Sequence, residues 1–193
     1  MLGVECDMKK ILIDIDDTIV EGGYLDVLNE YLGTSYTYND VEDYFVESLL
    51  PEGKLDDYLD YFYKTINVYD YVKIKENAIE VIKKLNEKYE ILICSAYIDK
   101  RVPDKCGVIT HNKHNFLMEN LPFLEPKNFI FTSRKDLVEC DIKIDDKVSN
   151  LKGTGKLKLL VDGYHNQKFS EKELRQRGIK RVKNWDEIEQ ILL

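Results

Sequence analysis

Apolar residues recur along this chain in short β-branched runs, each closed by polar residues. Lys9–Ile15 (KKILIDI) reads as a buried strand ending in carboxylates, and Tyr89–Cys94 (YEILIC) as a second. Asn128–Phe131, Ile142–Ile144, Leu157–Val161 and Ile179–Val182 are further runs of the same kind. Ala78, Ile79, Ile82 and Leu85 fall at helical spacing within Glu76–Lys88, and a closing helix is expected from about Trp185 to Leu193. Strands that alternate with helices or loops predict an α/β fold, a Rossmann-like parallel sheet flanked by helices. Ligands on such sheets sit beyond the carboxyl ends of the strands.

Residues 19–77 break this rhythm. They hold no convincing strand but three helical patterns, near Leu25–Leu32, Asp40–Leu50 and Leu55–Ile66, with ten of the thirteen tyrosines plus Phe45 and Phe62. Fifty-nine residues are too many for a connection within a compact domain. The expected organisation is therefore an α/β core of residues 1–18 and 78–193, with a small helical cap, residues 19–77, inserted after the first strand. Most of the cap's aromatics are expected to pack its own small core. Gly22-Gly23 stands where the chain enters the cap and suits either a hinge or a simple turn. Met8-Lys9-Lys10 would make a natural chain start, leaving residues 1–7 as an extension without a structural role.

A chain of 193 residues needs no disulfide or structural zinc to hold a core. Hydrophobic residues at 44% and charged residues at 33% exclude a disordered or fibrous chain. The longest unbroken apolar stretches fall far short of the ~18 residues that span a bilayer. No charged-then-apolar leader opens the chain, so a cytoplasmic protein without membrane contact is expected. The net charge of −8 argues against stable nucleic-acid binding. It leaves a small anionic substrate open, because a metal ion can reverse the field inside one cleft. Cys6, Cys94, Cys106 and Cys140 show neither CxxC spacing nor scaffold density and are read as reduced. Nothing in the pattern fixes an oligomeric state.

The chemistry concentrates in Ile11-Leu12-Ile13-Asp14-Ile15-Asp16-Asp17-Thr18. Three acids and a hydroxyl directly after a buried strand are costly unless a cation or hydrogen bonds await them. Period-2 alternation puts Asp14 and Asp16 on one side of an extended chain, where both can address one site. An EF-hand loop would need Gly at the sixth position, where Ile19 stands, and a helix rather than a strand before it. A polar turn closing the strand is the plainer alternative. Asp145-Asp146, at the end of another apolar run, weighs against that alternative: acids at two strand ends of a parallel sheet supply the oxygen ligands of a hard cation such as Mg²⁺. Ser95 and Lys135 follow two more strands. A carboxylate pair, a hydroxyl, a lysine and a second carboxylate pair thus close four strands in order.

With these four motifs the sequence resembles the haloacid-dehalogenase-like phosphatase superfamily, over nearly its whole length. Ile91–Ser95, Phe131–Lys135, Ile144-Asp145-Asp146 and Tyr164-His165-Asn166-Gln167 further resemble the 5'(3')-deoxyribonucleotidase family, whose members remove phosphate from deoxynucleoside monophosphates. The resemblance implies Mg²⁺ held by Asp14, the Asp16 carbonyl and Asp145-Asp146. It implies Asp14 as nucleophile, Asp16 as general acid and base, and Ser95 and Lys135 on the phosphate. The expected partner is a small phosphomonoester, a nucleoside monophosphate by family. Tyr44, Phe45, Tyr61 and Phe62, with Tyr24 and Tyr58, are candidates for stacking a base. The chain departs from some relatives, which carry Gly-Val where Asp17-Thr18 stand, two hydroxyls where Ser95-Ala96 stand, and tryptophans in the cap, whereas the single Trp here is Trp185. A phosphatase of the same fold acting on a sugar phosphate, or a non-catalytic binding protein, are the other readings.

Other motifs carry less. Gly153-Thr154-Gly155-Lys156 lacks the spacing of a phosphate-binding loop and reads as a turn. His111 and His114 lack further ligands for zinc. His165-Asn166 is expected to shape its loop, and the basic residues from Arg175 to Lys183 to form a solvated face.

Overall fold

The computed structural model describes residues 8–42, 44–97 and 99–193. The expectations for residues 1–7, Cys6 among them, lie outside the described residues. The apolar runs form one six-stranded sheet from β1 (Lys10–Ile13), β4 (Glu90–Ser95), β5 (Phe129–Phe131), β6 (Ile142–Asp145), β7 (Leu157–Val161) and β8 (Ile179–Val182). Their order is β5-β4-β1-β6-β7-β8 and every neighbouring pair is parallel. Ile11, Leu12 and Ile13 are all buried, so β1 is covered on both faces and reads as a continuous apolar run rather than an alternating one. Ile13 is in register with Ile93 on one side and Ile144 on the other. That register sets Asp14 beside the ends of β4 and β6.

Helices cover the sheet. α3 (Ala78–Asn86) buries Ala78, Val81, Ile82 and Leu85 and packs on α6 (Trp185–Leu192), to which Asn77 and Lys84 are tied through Asp186 and Glu189. α5 (Glu171–Gln176) begins at a Ser170 cap, whose hydroxyl accepts from the Glu173 N–H. α4 (Gly107–Asn120) was not expected from the pattern. Its inward face is Ile109, Lys113, Phe116 and Leu117, while Val108 and Met118 face solvent, so the apolar stripe is blurred from both sides. No helix among the described residues is long and apolar enough to cross a membrane.

Between β1 and α3 the structure corrects two expectations. The stretch does contain strands: β2 (Val20–Gly22) pairs antiparallel with β3 (Val72–Ile74), a ribbon too short to give an alternating signal. The helix expected over Asp40–Leu50 is instead two 3₁₀ turns, Tyr38–Asp40 and Val46–Leu49. Asp40 accepts hydrogen bonds from the Thr37 N–H and hydroxyl at 2.7 and 2.8 Å, a local closure that competes with helix, and Val41 is already extended. The outer patterns hold as α1 (Tyr24–Leu32) and α2 (Leu55–Thr65). Gly23 begins α1 at φ 84°, and a Cβ there would stand 2.7 Å from Val72 Cγ1, so this position requires glycine. Leu25, Leu28, Tyr58, Leu59 and Phe62 belong to the same apolar cluster as the sheet core.

Candidate active site

The segment after β1 leaves the sheet in a tight turn, with the N–H groups of Thr18, Ile19 and Val20 all donating to the Ile15 carbonyl. Asp17 takes φ 53° inside it. The Asp14 N–H stays bonded to Ile144 O at 3.0 Å, and the Trp185 indole donates to Thr18 O at 3.0 Å from α6. Backbone and core thus fix where the three acids begin.

Asp14, Ser95, Lys135, Asp145 and Asp146 are all buried. Lys135, in a 3₁₀ turn after β5, donates to Asp145 Oδ2 at 2.7 Å. Its ammonium also forms an ion pair with Asp14 Oδ1 at 2.8 Å, the one polar contact that oxygen makes among the described residues. Burial opposes the Lys135 charge, but the two carboxylates outweigh it and hold the pKa above the usual lysine value. Its segment is braced from behind. Lys143 of β6, itself buried, donates to Lys135 O and Lys152 O, and a Cβ on Gly153 would meet Asp136 O at 2.5 Å. Residues 153–156, expected to turn, form an irregular bend, and one that supports the lysine.

The two adjacent acids of the second pair differ. Asp145 Oδ1 accepts from Lys147 N and Asn150 Nδ2, and Oδ2 from Lys135, so its lone pairs are largely engaged. Asp146 Oδ2 has no hydrogen-bond donor although it is buried. Burial, then the nearby acids, raise the Asp146 pKa well above the ordinary range and push Asp14 up to about 6. Ligating oxygens of Asp14, Asp145 and Asp146 lie within 4.8 Å of one another. Buried acceptors without donors, crowded by like charge, are what a hard divalent cation satisfies. The residues present fit Mg²⁺, with Asp146 the better placed of the pair to hold it.

Asp16 is arranged differently. Its carboxylate accepts from Tyr69 Oη at 2.7 Å and from Lys113 Nζ at 2.7 Å, with the Ser95 hydroxyl at 3.5 Å. Burial alone would raise its pKa; the charge and hydrogen bond of Lys113, then Tyr69, outweigh burial and hold it below the usual value. Lys113 is a residue that motif reasoning missed. It is 2% exposed and also donates to Ser95 Oγ at 2.7 Å and to Ala96 O at 2.5 Å. The available signal was a lysine in phase with Ile109, Phe116 and Leu117.

Above these groups lies a cleft of about 690 Å³. Asp14, Asp16, Ser95 and Lys113 form its floor, with Tyr44, Phe45 and Phe62 among the aromatics of its walls; Tyr24 and Tyr58 line it too. Tyr61 is not brought there: its ring packs on Tyr31 and its hydroxyl donates to Glu30 on the exposed side of α1 and α2. His111 bonds Asn115 and His114 lies against Phe129, so neither joins a set of ligating atoms among the described residues. Arg181, expected in a solvated face, instead holds Asn166, Asp162 and Glu171.

The match to known proteins is extensive. The family described as "5' nucleotidase, deoxy (Pyrimidine), cytosolic type C protein" matches residues 7–193. A Bacillus subtilis 5'(3')-deoxyribonucleotidase is 27% identical over 192 residues, covering 96% of this chain and 100% of that one. A Staphylococcus aureus (strain Mu50) protein, provisionally given the same name, is 27% identical over 187 residues and covers 96% of both chains. A solved haloacid-dehalogenase-like hydrolase of Burkholderia xenovorans LB400 superposes with TM-score 0.57 at 14% identity over 96% of each chain, a likeness of fold alone.

Proposed function

We propose that this chain, which belongs to the family of cytosolic type C 5'-nucleotidases, is a Mg²⁺-dependent phosphomonoesterase that dephosphorylates (deoxy)nucleoside monophosphates through a phospho-Asp14 intermediate. The observation that supports it best is the division of labour among the acids. Among the described residues Asp14 Oδ1 and Asp146 Oδ2 are met only by ion-pair contacts from Lys135 and His165, whereas Asp16 is clamped by hydrogen bonds from Lys113 and Tyr69. Asp14, Asp146 and the Asp16 carbonyl would hold the cation, which when bound neutralises phosphate charge that would otherwise repel a carboxylate.

The remaining work falls to the chain's own groups. Lys113 and Ser95 bind the equatorial phosphate oxygens from the cleft floor, and Lys135 holds Asp14 in line from beneath. Asp14 attacks phosphorus and the ester oxygen departs with a proton from Asp16. Asp16, now ionised, takes a proton from the water that attacks phospho-Asp14, releasing phosphate and restoring Asp14. Asp16 must hold a proton at the first step, yet Lys113 keeps it ionised in the substrate-free site. An arriving phosphate competes for Lys113, and as that ammonium turns to the phosphate, burial raises the Asp16 pKa. Substrate binding therefore arms the acid. The insertion of residues 19–77 acts as the cap, and Tyr44, Phe45 and Phe62 offer faces to a nucleobase.

The test is a panel of 5'- and 3'-monophosphates of deoxy- and ribonucleosides beside sugar phosphates, with Mg²⁺ and then with chelator. Nucleotides should exceed sugar phosphates in kcat/KM, and chelator should stop turnover. Equal rates on generic esters would remove the nucleotide assignment, and chelator-insensitive turnover would remove the metal.

A further inference from the structure

Two sets of three ligating atoms lie within 4.8 Å of one another among the described residues, and they share Asp146. One, with Asp14 and Asp145, surrounds the position proposed for Mg²⁺. The other joins Asp146 to Asp17 and His165. His165 sits in the 3₁₀ turn Tyr164–Asn166, and its side chain is 5% exposed. Its Nε2 is 2.8 Å from Asp146 Oδ2, yet neither atom makes a hydrogen bond. A buried imidazole nitrogen and a buried carboxylate oxygen thus meet only each other among the described residues, with no hydrogen bond to satisfy either.

The position of this imidazole is built. Asn166 Nδ2 donates to both Asp146 O and Val161 O at 2.9 Å, tying the histidine's turn to the carboxylate's, and Arg181 grips Asn166 from behind. Tyr44 and Tyr164 place their rings edge-on to His165 at 4.9 and 5.1 Å. On the open side Asp17 lines the cleft, and no donor among the described residues hydrogen-bonds its carboxylate. The donor set is one nitrogen and two carboxylates. Mg²⁺ prefers oxygen and water, whereas imidazole with carboxylate suits first-row metals of the zinc class, and three protein ligands leave a coordination position open.

We infer that Asp17, Asp146 and His165 form a second cation subsite, bridged by Asp146 to the Mg²⁺ set and selective for a zinc-class divalent metal. The inference rests on the Mg²⁺ reading only in that shared carboxylate. Asp17 would then serve as a ligand.

The untagged chain, dialysed against Co²⁺ in excess Mg²⁺, should retain one Co²⁺ per molecule by elemental analysis, with a visible absorption band. His165→Gln and Asp17→Asn should each weaken retention by about tenfold or more, with Mg²⁺ binding, followed by calorimetry, within about threefold of the parent. Asp14→Asn should weaken Mg²⁺ binding and keep the Co²⁺ band. X-ray absorption of the Zn²⁺-loaded chain should show an imidazole ligand that His165→Gln removes. Equal retention in His165→Gln, complete displacement of Co²⁺ by Mg²⁺, or loss of retention in His111→Asn/His114→Asn would overturn the subsite. A parent that binds Co²⁺ through His165 but shows no Mg²⁺ uptake would sink the Mg²⁺ reading and leave the subsite standing.

Discussion

Replacing Lys113 by Met removes one ammonium and keeps most of the side chain's volume. Three acceptors lose a donor at once: Asp16 Oδ2, Ser95 Oγ and Ala96 O. Breaking a fully buried ion pair from one side costs about 3–5 kcal/mol, and here the Asp16 side chain is still 20% exposed. Asp16 retains the Tyr69 hydrogen bond and can protonate, so the lower end applies, roughly 3 kcal/mol. At about 2–4 °C per kcal/mol for a chain of this size, the melting midpoint should fall by roughly 6–12 °C. Losing a cation aimed at transition-state charge should cost about 10²–10³ in kcat. The pH dependence separates this account from simple damage. In the parent, Asp16 has a lowered pKa, so its contribution to stability is present above the ordinary carboxylate range and is lost as pH falls through the folded value. In Lys113→Met only Tyr69 and Lys135 still oppose burial, so the Asp16 pKa rises, and once it passes the ordinary carboxylate value the sign reverses: stability from a protonated Asp16 is present at low pH and is lost as pH rises through its raised value. Melts at several pH values and kcat/KM profiles over the same range read both effects. A variant with kcat/KM within about threefold of the parent at every pH, and an unmoved acidic limb, would refute the clamp.

Asp14→Asn should lower turnover by about 10⁴-fold or more with circular dichroism unchanged, and Asp16→Asn should slow both steps, with phospho-enzyme accumulating under acid quench if the second step suffers more. Asp146→Asn should weaken Mg²⁺ binding in calorimetry by more than about tenfold, whereas Asp145→Asn, acting through Lys135, should lower kcat with a smaller loss of metal affinity. Asp14, pushed up to about 6 by burial and then its acidic neighbours, must lose its proton to take a cation, so Mg²⁺ affinity should drop as pH falls below that value. Phe45→Ala, at an exposed cleft wall, should raise KM for nucleotides, while Tyr61→Ala should leave KM unchanged.

The sheet was legible because β1 and β4 are largely buried and print unbroken apolar runs, and because acids after such runs have few innocent explanations. Asp14, Ser95, Lys135 and Asp145-Asp146 come together because β1 lies between β4 and β6. Sequence order alone could not supply that adjacency. α4 was missed for the same reason that Lys113 matters: a charge on the inward face spoils the periodicity that announces a helix. The β2–β3 ribbon was missed because three residues cannot alternate visibly. Tyr61 was misplaced because tyrosine density says nothing about which helix face meets the cleft. Asp145 and Asp146 look equivalent as letters, and only their donors separate them.

The β2–β3 ribbon has a further consequence. Chain departure and chain return lie side by side, so the segment from residue 23 to 71 leaves and rejoins the fold at one two-stranded stem. Doubling the length of such a loop costs only about 0.6 kcal/mol in closure entropy. Residues packed above the stem can therefore be lengthened, trimmed or exchanged without re-registering β1 against its neighbours, provided the replacement re-covers Ile15 and Ile19 and keeps a donor where Tyr69 meets Asp16. The cleft's walls can change in this way while Asp14, Ser95, Lys135 and Asp146 stay where the sheet put them.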